Sequence, residues 1–267
     1  MPSQKRERQR AGRDARRDAA RAAQRRAQRR RQVIALVALV GVIFAIAFVI
    51  SQSGDDDGTD VATEGGTTTS APAEDAKPAT FGTTPCPPEE GAAERTASFA
   101  AAPENCLKKG EDYQATVETD VGTFVIDLDE KNAPVTANNF VFLARHRAYE
   151  DVPFHRVMPD FVVQGGDVEK ANGTGGPGYE FGDELPEAGQ YKLGSVAMAN
   201  SGANTNGSQF FVITGPNGVA LPPSYSLFGE VTSGYEEVVK LIEKDGSPEG
   251  APTVTHKIVK VTISEKG

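Results

Sequence analysis

Few side chains in this 267-residue chain are typed and spaced for chemistry. His146, His155 and His256 are its only histidines and show no ligand spacing, so no metal is expected. The glycine-rich run 172–179 (NGTGGPGY) lacks the Lys-Ser/Thr of a phosphate loop, so no nucleotide or other cofactor is expected. Cys86 and Cys106 are not a C-x-x-C pair, which argues against redox catalysis. Arg156 in FHRVM, Gln164 ahead of Gly165-Gly166 and the aromatic pair Phe210-Phe211 offer a charged donor, an amide and apolar rings, with no nucleophile or ligand set among them. A charged donor beside apolar side chains in a partly dry groove acts more strongly than it would in water. Taken singly, each also has a plain structural reading. A strand arginine is usually solvated, a glutamine before two glycines can end a strand, and neighbouring phenylalanines point to opposite faces.

The elements that must position these residues are short strands. QATVETD and TFVIDLD alternate around Val121-Gly122, a hairpin signal. FHRVM is bracketed by Pro153 and Pro159; FVVQG, GSVAMA, SQFFVIT, SLFGEV and VTHKIVKVTI complete eight strands. Alternation in FHRVM puts Phe154, Arg156 and Met158 on one face and His155, with a structural place, on the other. Pro134 opens one helix, with Phe140, Leu143, Ala144 and Arg147 at helical spacing. A second runs from Tyr235 to Glu243 with Val238, Val239 and Leu241 turned partly inward. Eight strands with two helices suit a mostly β, closed antiparallel barrel better than a βαβ sheet.

Two long blocks, FHRVMPDFVVQGGD (154–167) and GSVAMANSGANTNGSQFFVIT (194–214), resemble the cyclophilin family of peptidyl-prolyl cis-trans isomerases. Gly173-Thr174-Gly175-Gly176 and Ser226-Leu227-Phe228-Gly229-Glu230 fall where that family has its glycine loop and the following strand. The resemblance implies an eight-stranded barrel capped by two helices over residues 112–265. It implies Arg156 as catalytic arginine and Gln164 as the glutamine that bonds the substrate backbone. It also implies a proline pocket of Phe161, Val162, Phe211 and Leu221, with Ala199 and Asn200 anchoring the residue before proline. Two positions depart from the family. Val162 stands where a methionine is common, and Ala220-Leu221 followed by Tyr225 replaces Trp-Leu and a histidine. Tyr225 still offers an aromatic face, while weakened cyclosporin-type binding is expected.

The implied reaction is rotation about X-Pro bonds, whose partial double-bond character sets a barrier of about 18–20 kcal/mol. It needs no nucleophile or metal. It needs a pocket that fixes the ring and a donor that favours the twisted nitrogen, and about 1.4 kcal/mol of selective stabilisation is tenfold in rate. The expected partners are proline-containing peptides and unfolded or secreted proteins, met by a monomeric domain. The alternative is an anchored proline-peptide binding module, or a chaperone with little or no turnover.

Charge divides the chain. Residues 1–31 carry thirteen Lys/Arg against three acids, which leaves −19 on the rest of a chain whose net charge is −9. Residues 33–50 (VIALVALVGVIFAIAFVI) are uncharged and apolar, about 27 Å long as a helix at about 1.5 Å per residue. The expected organisation is a basic cytoplasmic arm (1–32), a single membrane-spanning helix (33–50), an acidic Gly/Thr-rich linker (51–80), a Cys-containing extension (81–111) and the barrel (112–265) outside. Ala45 and Ala47 also form an A-x-A cleavage site, so removal after Ala47 is the competing reading. The arm has no aromatics to stack on bases, and no nucleic-acid partner is expected. In an oxidising exterior, Cys86 and Cys106, with nineteen residues between them, are expected to form a disulfide. Their segment lies outside the family core and resembles an addition in actinobacterial-type anchored members. With 38% hydrophobic residues, a wholly disordered chain is excluded.

Overall fold

Strict alternation builds the first hairpin. In β1 (Asp112–Thr119) Tyr113, Ala115 and Val117 are buried; in β2 (Gly122–Leu128) Phe124, Ile126 and Leu128 are. The two strands pair antiparallel with Val117 opposite Phe124. The computed structural model describes residues 79–266. The expected basic arm, membrane-spanning helix and linker lie outside the described residues, apart from Ala79 and Thr80. Among the described residues, no helix is long and apolar enough to cross a membrane.

Helix α1 (Pro134–Arg145) starts on a proline, whose missing N–H is no loss in a first turn. The Glu184 carboxylate, from a distant loop, accepts the N–H groups of Val135 (3.0 Å) and Thr136 (2.8 Å). It satisfies two of the helix's orphan donors and places negative charge at the positive end of the dipole. Every residue from Val135 to Arg145 is buried, so the helix has no free face. Arg147, expected within it, lies past its end in left-handed backbone at φ 57°.

Seven further strands follow: β3 (Val152–Pro153), β4 (Arg156–Met158), β5 (Val162–Gly165), β6 (Ser195–Met198), β7 (Phe210–Ile213), β8 (Leu227–Ser233) and β9 (Lys257–Lys266). One curled antiparallel sheet contains all nine strands, in the order β3-β9-β1-β2-β8-β6-β7-β5-β4. The expected closed barrel of eight strands is therefore corrected. A ninth strand, β3, exists, and the hydrogen-bonded ladder stops at β3 and β4. The reason lies in the two residues between them. At Phe154 the chain leaves β9 as partner and at Arg156 takes up β5, so consecutive strands form the two ends of the sheet. The free edge of β4 is covered: Val157 donates to the Gly250 carbonyl (2.8 Å) and accepts from the Ser247 N–H (3.1 Å).

The second expected helix is a π-helical turn, Tyr235–Val239, running into α3 (Lys240–Lys244); a one-turn helix, α2 (Pro216–Val219), precedes β8. Val238, Val239 and Ile242 face the core while Leu241 is exposed, because the wider π turn rotates the inward face by about one residue relative to a regular helix.

Two apolar clusters result. The larger fills the inside of the curl and joins Phe140, Tyr149, Phe154, Met198, Phe210 and Phe228. The smaller lies on the other face of β5, β6 and β7: Val162, Tyr191, Ala197, Phe211 and Ile213, flanked by Phe161, Leu221 and Tyr225.

Residues 82–107 form a strap on the outside of α1. Thr84 and Pro103 make a parallel bridge, and Cys86 is joined to Cys106 by a disulfide. Phe99 packs against Phe142 (ring centroids 4.7 Å apart) and His146 (4.8 Å). The Asn138 side chain holds the strap at both ends of its amide, accepting from the Cys106 N–H (2.7 Å) and donating to the Glu104 carbonyl (2.9 Å). Arg95 reaches across to the Ala148 and Val168 carbonyls, each at 2.8 Å.

Candidate active site

β4 and β5 are joined by a tight turn. Pro159 fixes one φ, Asp160 takes a left-handed φ of 59°, and the Phe161 N–H closes onto the Met158 carbonyl at 3.2 Å. That turn sets the register: Arg156 stands opposite Gln164, Gln164 opposite Phe211, and Phe211 opposite Ala197. Four neighbouring strand positions on one face thus carry a cation, an amide, an aromatic ring and a small side chain. Arg156 and Met158 point outward from β4. Phe154, expected beside them, is fully buried in the inner core with Val157, because the strand begins only at Arg156.

The Arg156 guanidinium donates to Gln164 Oε1 at 3.0 Å, and its carbon lies 5.3 Å from the centre of the Phe161 ring. Gln164 Nε2 donates to Gln209 Oε1 at 3.2 Å. Gln209 Nε2 in turn donates to the carbonyls of Gly173 (3.0 Å) and Gly175 (2.9 Å). The chain of donors has one direction, so both glutamine amides are fixed in orientation, and Arg156 spends one of its N–H groups on Gln164 while lining the groove cavity.

The glycine loop is held from beneath. Asp167 is fully buried and accepts the N–H groups of Glu169, Lys170, Asn172, Gly173 and Gly175 at 2.8–3.2 Å. Burial would raise its pKa, but the backbone donors override that and hold the carboxyl at about 2. These are the donors a phosphate would need, and the chain's own carboxylate already occupies them. Gly173, at φ +92°, sits over the His155 ring, where a Cβ would come within 2.8 Å of the imidazole. Burial lowers the His155 pKa, and its ring nitrogens have no partner among the described residues.

Arg156, Phe161, Val162, Gln164, Ala199, Asn200, Phe211, Leu221 and Tyr225 line one cavity of about 150 Å³. Its floor is the smaller apolar cluster, with the Tyr225 ring edge-on to Phe211 at 5.4 Å. The Asn200 side chain faces away from any ligand role: it donates to the Ser224 carbonyl (2.9 Å) and accepts from the Gly202 N–H (3.3 Å). A larger cavity of about 660 Å³ adjoins and shares Gln164, Ala199 and Asn200 as walls. Sequence reasoning passed over Gln209 and Asp167. Period-two alternation could have found Gln209, which is two residues before Phe211 and so on its face. Nothing local marks Asp167, whose partners are all backbone groups.

A sequence profile described as cyclophilin type peptidyl-prolyl cis-trans isomerase/CLD matches residues 114–263. This chain belongs to that family and is a peptidyl-prolyl cis-trans isomerase of the cyclophilin type. It is 40% identical over 155 residues to a peptidyl-prolyl cis-trans isomerase-like 1 of Gibberella zeae, covering 56% of this chain and 94% of that protein. It is 39% identical over 137 residues to peptidyl-prolyl cis-trans isomerase CYP18-2 of Arabidopsis thaliana, covering 50% and 82%. The crystal structure of a Cryptosporidium parvum cyclophilin type isomerase superimposes with a TM-score of 0.52 at 29% identity, over 58% of this chain and 99% of that one. The strap lies outside the matched region.

Proposed function

We propose that the enzyme isomerises X-Pro bonds of polypeptides outside the cytoplasm, from a position tethered to the membrane by residues 33–50, and so assists their folding. The observation that carries the site assignment is Arg156: its guanidinium is held by Gln164 at the wall of a cavity with an apolar floor, about the size of a proline ring. In this reading Phe161, Val162, Phe211 and Leu221 bury the pyrrolidine ring, with Tyr225 closing the far side. Gln164 bonds the backbone of the rotating half. Ala199 and Asn200 take the residue before proline through the main chain, since the Asn200 amide is already committed to its own loop. Arg156 donates toward the prolyl nitrogen as it loses conjugation and becomes an acceptor. That bond exists only in the twisted state, so it lowers the barrier without tightening ground-state binding. Ala220, where the family commonly has tryptophan, fits weak binding of cyclosporin-type ligands.

The extracytoplasmic placement rests on the +10 arm, the apolar run behind it and a cysteine pair that is oxidised in the fold. Full-length protein in a neutral detergent is expected to accelerate cis-trans exchange of short X-Pro peptides by NMR. Arg156→Ala is expected to reduce kcat/KM about 100-fold, equivalent to about 3 kcal/mol, with an unchanged melting temperature. A variant as fast as wild type removes Arg156 from the mechanism. Protease added to intact cells should digest the barrel while sparing the arm; the reverse pattern overturns the orientation, and release of the barrel into the medium shows cleavage after Ala47.

A further inference from the structure

The strap side of the molecule holds a second polar cavity, of about 440 Å³, which shares no wall with the groove. Strap residues 89–92, the end of α1 and β9 enclose it. Arg145 lines this cavity although only 8% of its surface is exposed. Its Nε is buried without a hydrogen-bond partner, and its guanidinium makes no ion pair among the described residues. The other charged walls are largely accounted for. Arg147 grips Glu150 through two bonds of 2.8 and 2.9 Å, and Glu89 pairs with Lys108 at 2.9 Å. That leaves Arg145 and the exposed Lys260 of β9 against a single unpaired acid, Glu90, on the exposed strap.

The buried Nε of Arg145 lacks a partner and Glu89 acts on the guanidinium only at a distance, while the planar fork of a guanidinium matches the two oxygens of a carboxylate. Glu89, Glu90 and Glu150 around the rim repel a dianion more than a monoanion. We propose that this cavity is a carboxylate-binding site, in which Arg145 grips both oxygens of a monoanionic ligand and Lys260 supplies the second cation. The ligand is either a small carboxylic acid or the free carboxyl terminus of a polypeptide. Because one wall belongs to the strap, the site exists only where the strap is docked.

The test uses the full-length protein in neutral detergent at constant ionic strength, titrated with sodium acetate, N-acetyl-Ala-Ala, the amide of that dipeptide, and inorganic phosphate. Both carboxylates are expected to raise the melting temperature saturably, while the amide does nothing and phosphate acts at least tenfold more weakly. Arg145→Met should weaken the carboxylate response at least tenfold and Lys260→Ala about threefold, with isomerase turnover unchanged in both. A dipeptide acting more tightly than acetate identifies a chain end; equal affinities identify a small acid. The absence of a saturable response, a preference for phosphate, or a response that Arg145→Met leaves intact overturns the proposal. Should Arg145→Met fail to fold, Lys260→Ala decides alone, since that side chain is exposed and an unchanged response then overturns it.

Discussion

The groove face and the strap face use the same kinds of residue for opposite ends. On the groove, Phe211, Leu221 and Tyr225 surround a cavity that Arg156 also lines, with one of its bonds spent on Gln164. On the strap side, Phe99 is pressed between Phe142 and His146, and Arg95 and Asn138 spend their donors on backbone carbonyls. The groove keeps its polar groups for a partner that is not part of the chain; the strap's own contacts through Arg95 and Asn138 are satisfied internally and reinforced by a covalent cross-link, with Arg145 the exception. The difference teaches where each face should fail. Groove substitutions should cost turnover and leave stability alone, and strap substitutions should do the reverse.

The largest test of that division is reduction of the Cys86–Cys106 bond. A closed loop of this length is worth about 3 kcal/mol through the unfolded chain. Dithiothreitol should lower the denaturant midpoint correspondingly while kcat/KM on an X-Pro peptide, measured below the transition, stays the same. Lost turnover at full folding would show that the two faces are coupled.

Phe99→Ala should follow, at about 2 kcal/mol, since a half-buried ring gives up less than the 3–5 kcal/mol of a core phenylalanine. Chemical denaturation measures it, and turnover should again be spared. Asp167 is where the division should break. Its carboxyl, near 2 in the fold against about 3.9 in an unfolded chain, contributes stability above pH about 4 that disappears as the pH falls toward 2. The amount is about 2.6 kcal/mol, and Asp167→Asn should remove that acid dependence. Because the loop it anchors holds Gln209 and through it Gln164, this variant should also slow turnover, by about fivefold. A stability loss with full activity would show that the relay of amides does not position Arg156.

The smallest effect belongs to neither face. His256 is buried between Asp120 (3.0 Å) and Asp245 (2.8 Å). Burial lowers its pKa, but the two carboxylates outweigh that and raise it overall. Its contribution is complete below the ordinary histidine value of about 6.5 and declines as the pH rises through the raised one. The urea midpoint should fall over that range in wild type and be flat in His256→Gln.

Much of this was legible in the residues. The hairpin at Val121-Gly122 and the start of α1 at Pro134 follow from alternation and proline stereochemistry, which are local. So does the division of Phe210 from Phe211, one in the inner core and one in the groove. The seven candidate residues in the two sequence blocks, with Leu221 and Tyr225 beyond them, all border one cavity, because the strands of those blocks are held in register by the ladder. Phe154 was misplaced because its face depends on where β4 begins, and that is decided by a change of pairing partner from β9 to β5. Leu241 was misplaced because a π-helical turn shifts the inward face, and no short-range pattern announces it.

By itself, then, the sequence determined which residues meet at the groove, the separation of a basic first segment from an acidic remainder, and the pairing open to two lone cysteines. Only the tertiary structure decided that the sheet has nine strands and a seam, that Asp167 fills its own glycine loop, and that a strap closes over α1 to leave Arg145 buried without a partner. The physical reason is range. Alternation, turns and charge runs act over a few residues, whereas a buried carboxylate or an unpaired guanidinium is defined by what distant segments bring, or do not bring, within about 3 Å of it.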